Sequence, residues 1–190
     1  MALTEGRRTP PQLNDSSLQE LALRYVGKYA TTRAKLRTYL SRKLKERGWA
    51  GAHPPDVAAV ADRFAELGYI DDAAYALSKS RALAGRGYGK RRLTEKLRLD
   101  GVTEDDRAAA HDLADREAVT AALRFAERRR LGPFASAAPD PRLRQKWLAA
   151  LVRAGHTFGV AQAITRMVPG TDVDLEALYD AAGCSDRNLD

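Results

Sequence analysis

The sequence predicts an all-α protein, a tandem array of three three-helix repeats forming an elongated, curved, solenoid-like chain. Three observations carry that expectation. Apolar residues recur at helical spacing, and nothing alternates with period two over any length. Gly48, Gly101 and Gly155 each follow a basic amphipathic segment, at separations of 53 and 54 residues. Positive charge gathers on the segments before those glycines, and negative charge lies elsewhere.

The elements follow in order. Leu18, Leu21, Ala22, Tyr25, Val26 and Tyr29 make one stripe, after a capping box from Ser16 to Gln19, and predict a helix over 16–30. Leu36, Leu40 and Leu44 predict a second over 32–47. Val57, Val60, Ala61, Phe64 and Leu67 predict a third over 55–67. The middle repeat reads as 72–84, 89–99 and 103–114, and the last as 116–130, 142–154 and 157–168.

A leucine stands four residues before each pivotal glycine (Leu44, Leu97, Leu151), and Leu40, Leu93 and Trp147 stand eight before. Trp49, Val102 and His156 come one after. This is the pattern of a glycine helix stop, in which the glycine turns left-handed and the next residue folds back on the helix. New helices then start behind the capping residues Asp56, Thr103 and Thr157. The resulting organisation is a flexible N-terminal segment 1–15, repeats 16–70, 71–115 and 116–168, and an acidic tail 169–190. The first repeat carries an extra "AGAHPP" before its third helix, and the tail one short additional helix.

Charged residues make up 30% of the chain, with a net charge of +7 and a pI near 9.7. That balance suits a polyanion or an acidic protein surface. The N-terminus has no apolar signal-like stretch, and no run is long and apolar enough to span a membrane. Cys184 is the only cysteine, so a reducing, cytoplasmic setting is expected.

Catalytic chemistry is not expected. The stretch "LAGRGYGKRR" at 83–92 invites comparison with a phosphate-binding loop, but Ala84 and Arg91 occupy positions that a P-loop gives to glycine and Ser or Thr. Lys90 stands where the dinucleotide pattern needs its third glycine, and no strand precedes the loop. His53, His111 and His156 lie far apart with no second ligand at metal spacing, and no nucleophile elbow occurs. The carboxylate clusters fall at helix starts, where they suit the macrodipole. No enzyme activity, cofactor or metal is therefore expected.

Residues 32–47 carry a net +6, residues 79–98 a net +7, and 142–153 four more basic residues, whereas 100–117 carries −5. The position eleven before each pivotal glycine is basic: Arg37, Lys90, Arg144. Stacked units would align these second helices into a basic stripe. The glycines of "GRGYG" let the chain turn, and Lys90, Arg91 and Arg92 then fall in the first turn of a helix, where cations oppose the macrodipole. Local stability gives no reason for them, so a partner is the expected reason.

The segment 68–102 resembles the RecX family, regulators of the RecA recombinase. Gly68-Tyr69-Ile70-Asp71-Asp72, Ser80-Arg81, the Arg86-Gly87-x-Gly89 turn and the Leu93/Leu97/Gly101 helix end carry the likeness. "TTRAKLRTYLSRKLKERGW" is similar to that family's opening, with Arg33, Leu36, Leu40 and Gly48 in place. The resemblance covers 18–168 and departs at Lys90, often a proline, at Ala73 and Ala74, and at "AGAHPP"; the third repeat matches loosely. It implies a non-enzymatic inhibitor that lies along the RecA–single-stranded DNA filament and limits its extension, ATPase, strand exchange and coprotease activities. The implied partners are that filament and single-stranded DNA, with double-stranded DNA a further candidate, bound by a monomer. Candidate contacts are Arg33, Lys35, Arg37, Arg81, Arg86, Lys90, Arg91, Arg92, Arg144 and Lys146. A direct DNA-binding protein of helix-turn-helix type, acting without RecA, is the alternative.

Overall fold

A computed structural model describes residues 11–183. Among these the protein has ten α-helices and no strand, so the all-α expectation holds. They are α1 (Asp15–Lys28), α2 (Arg33–Arg47), α3 (Val57–Glu66), α4 (Asp72–Gly85), α5 (Lys90–Leu99), α6 (Glu104–Arg116), α7 (Ala118–Arg129), α8 (Pro141–Arg153), α9 (Phe158–Arg166) and α10 (Leu175–Ala182). A short 3₁₀ turn, Gly132–Phe134, lies between α7 and α8. Cys184 and the last residues of the acidic tail lie outside the described residues, as do residues 1–10 of the N-terminal segment.

The chain packs as two compact units. The first runs to Tyr75 and includes Asp100–Val102; the second comprises Ala76–Leu99 and everything from Thr103 onward. In the first, Leu18 and Ala22 of α1, Leu36 and Leu40 of α2, and Ala61 and Phe64 of α3 close on one another with Leu13 and Ile70. In the second, α7, α8, α9 and α10 surround Phe125, Trp147, Leu151, Ile164 and Leu178. The helical stripes read from the sequence are the faces these cores bury.

The glycine stops form, each in its own way. Gly48, Gly101 and Gly155 all have positive φ, of 76°, 72° and 99°. At Gly155 the Schellman pair is complete: Gly155 N–H donates to Val152 O (3.1 Å) and His156 N–H to Leu151 O (3.2 Å). Gly48 instead has ψ 178°, which extends the chain rather than completing a left-handed turn. The reason is Leu13, whose N–H donates to Gly48 O (3.0 Å) and whose carbonyl accepts from Ala50 N–H (2.8 Å). Leu13 is fully buried, so the end of the segment expected to be flexible is part of the first core. Trp49 and Leu44 pack on that core. The "AGAHPP" insertion folds over the indole, whose N–H donates to His53 O at 2.6 Å.

The caps at Asp56, Thr103 and Thr157 are present. The capping box expected at Ser16–Gln19 lies two residues earlier. Asn14 Oδ1 accepts from Ser17 N–H and Ser17 Oγ from Asn14 N–H, since Asn caps as well as Ser and Ser can answer it across three residues. At the other end, Leu178 of α10 is fully buried, so 175–182 belongs to the second core.

Candidate partner and nucleic-acid interface

The stretch "GRGYGKRR" is built into the second unit by a helix-to-helix junction. The N-terminal turn of α5 has backbone donors without intrahelical partners, and the C-terminal turn of α8 has acceptors in the same position. They meet. Gly89 N–H donates to Ala154 O (3.0 Å) and Arg91 N–H to Gly155 O (3.2 Å). The Arg91 guanidinium donates to Val152 O at 2.5 Å. The His156 ring lies 3.0 Å from Gly87 O and edge-on to Phe125, and burial pushes its pKa below the ordinary 6.5.

This junction supplies the local reason for the cations that the sequence left without one. The negative end of the α8 dipole lies against the first turn of α5, so Arg91 is favourably placed despite its own helix. Lys90 Nζ pairs with Asp115 at 2.6 Å, and Arg92 lies over the Tyr88 ring at 4.7 Å. His111, near Lys90 and bonded to Thr94 Oγ1, has its pKa lowered by burial first and by Lys90 second.

In the first unit, Arg33 and Lys35 are also engaged internally. The Arg33 backbone N–H and Nε donate to the two oxygens of Asp72 (3.1 and 3.2 Å). Lys35 Nζ pairs with Asp100 Oδ1 at 2.8 Å, and Tyr75 OH donates to Asp100 Oδ2, also at 2.8 Å. The side chains of Asp72 and Asp100 are 2% and 4% exposed. A carboxylate that deep needs a cation, so Arg33 and Lys35 serve as anchors.

The remaining candidates behave differently. Arg37 of α2 in the first unit, and Arg81, Arg86, Arg144 and Lys146 in the second, are exposed. Their side chains make no ion pair or hydrogen bond among the described residues; Arg86 takes part only through its carbonyl, which accepts from Arg128. The ten candidates thus divide into five with internal partners and five presented to solvent.

Sequence reading missed two exposed apolar residues, Leu99 (79% exposed) and Phe158 (59%), which border one open groove of about 800 Å³ in the second unit. Leu99 was detectable, since it stands two residues past Leu97 and so off the buried stripe. Among the described residues no cluster of three or more metal-ligating side chains occurs, and no helix is long and apolar enough to cross a membrane.

Fold and surface first define a class: a basic, all-helical protein whose cations are partly structural anchors and partly free. No family model matches the chain. Curated relatives do. It is 33% identical to the regulatory protein RecX of Myxococcus xanthus, over 84% of this chain and 89% of that protein. It is 34% identical to the Thermobifida fusca RecX over 89% of each chain, and 30% identical to that of Agrobacterium fabrum over 79% and 81%. The chain belongs to the RecX family of regulatory proteins. Its fold is that of the crystal structure of RecX from Lactobacillus salivarius (TM-score 0.57, 20% identity, covering 78% of this chain and 92% of that one). A second RecX crystal structure agrees (TM-score 0.55, 24% identity, 78% and 73%).

Proposed function

We propose that the protein inhibits a RecA recombinase by binding the RecA–single-stranded DNA filament and limiting its extension, ATPase, strand exchange and coprotease activities. Family membership supports the regulatory role. The single structural observation that carries the mode of action is the set of five exposed, unpaired cations, Arg37, Arg81, Arg86, Arg144 and Lys146. Side chains with no internal partner can follow phosphates, and each phosphate neutralised releases counterions. The repeats 16–70, 71–115 and 116–168 are the modules that present these cations.

Binding to single-stranded DNA and to RecA filaments, each measured across a salt series, tests this reading. Sequence-blind, salt-steep DNA binding with tighter retention on filaments is the expected result. Preference for one double-stranded operator, with no response to RecA, would establish the helix-turn-helix alternative instead.

A further inference from the structure

We infer that the groove between the outer face of α5 and the α8–α9 turn is a protein-docking site, which takes a segment of the recombinase bearing a large apolar side chain beside a carboxylate. The inference rests on the RecA-regulator reading and divides its surface into protein-facing and DNA-facing parts. Leu99 and Phe158 stand exposed at the groove, and contiguous apolar exposure framed by charge marks interaction sites rather than ordinary surface. The same groove is lined by Lys90, Arg91 and Arg98 against one acidic residue, Glu95, so its charge complements an acidic peptide.

The groove fits a phosphate backbone poorly. Lys90 is held by Asp115, and the Arg91 guanidinium is spent on the Val152 carbonyl, so neither is free to track a strand. Glu95 would repel phosphates, and Leu99 offers no ring for a base to stack on. The unpaired cations Arg81, Arg86, Arg144 and Lys146 lie outside the groove lining and are the ones left for DNA. A central apolar anchor with a charged rim is the usual form of a protein hot spot.

The experiment uses the full chain with Leu99→Ser and Phe158→Ser combined, measuring binding to bare single-stranded DNA and inhibition of RecA ATPase on the same DNA. Bare-DNA binding should stay at wild-type strength, while the concentration for half-inhibition rises about tenfold or more. A second variant, Leu99→Lys, separates the two ligands by sign. A protein-docking groove loses inhibition, whereas a nucleic-acid groove gains DNA affinity. Parallel loss of DNA binding in the double variant, tighter DNA binding by Leu99→Lys, or unchanged inhibition in both would overturn the inference. If the wild-type protein neither inhibits RecA nor binds its filaments, the underlying reading itself fails, which these variants are not needed to see.

Discussion

A β-carbon on Gly89 would fall on the backbone carbonyl of Gly155. These two glycines, one opening α5 and one closing α8, let two helix ends approach closely enough to exchange backbone hydrogen bonds. The glycines of the basic loop therefore serve a junction between helices as well as a turn.

Gly89→Ala should destabilise the protein by about 2 kcal/mol or more, because backbone rather than a flexible side chain must yield. Gly85→Ala is the control: nothing lies within 4 Å of its β-carbon, and alanine suits a helix better. Chemical denaturation midpoints should fall for the first and hold or rise for the second.

Charge reversal at Arg91 should also cost stability. The sequence alone predicts that glutamate here is tolerated or even helpful to α5. The structure reverses that sign, since Arg91→Glu removes the donor to Val152 O and sets a carboxylate against the carbonyl end of α8. The expected loss is about 1–2 kcal/mol. Lys90→Glu should cost less than about 1 kcal/mol, as its pair with Asp115 is solvent-exposed.

Lys35→Met should destabilise the first unit by roughly 3 kcal/mol, because it strands the Asp100 carboxylate without its cation. Lys35→Met combined with Asp100→Asn should recover part of that loss. Equal losses in the single and double variants would show that Lys35 is no anchor.

The helix stops were legible in the sequence because they are local, with leucine four before and a capping residue soon after. The α5–α8 junction was not, since Arg91 and Val152 are 61 residues apart and no pattern announces their contact. Asp72 was readable as a helix start but not as a buried ion-pair partner of Arg33, 39 residues earlier. Basic residues announce themselves by type. Whether each one is an anchor or a free cation depends on long-range neighbours, and so half of the candidate site changed role once the chain was folded.

Acid should weaken the fold through His156. Its folded pKa is lowered by burial, below the ordinary 6.5 of an unfolded histidine. The unfolded chain therefore takes up a proton first as pH falls. Stability is fully present above about pH 6.5 and is lost progressively below it, down to the folded pKa. His111 shifts in the same direction and adds to the effect. Denaturation followed between neutral and mildly acidic pH should show this slope, and His156→Gln should flatten it.

The most direct test of the account is RecA ATPase on single-stranded DNA, titrated with the wild-type protein and with Arg144→Glu combined with Lys146→Glu. Both side chains are exposed and unpaired, so the double variant should keep its stability within about 0.5 kcal/mol. The wild-type protein should suppress hydrolysis. The variant should need about tenfold more protein, and its DNA binding should lose roughly one unit of salt slope per phosphate contact removed. Wild-type protein that leaves hydrolysis untouched, or a folded variant that inhibits at the wild-type concentration, would contradict the assignment of the free cations to the filament.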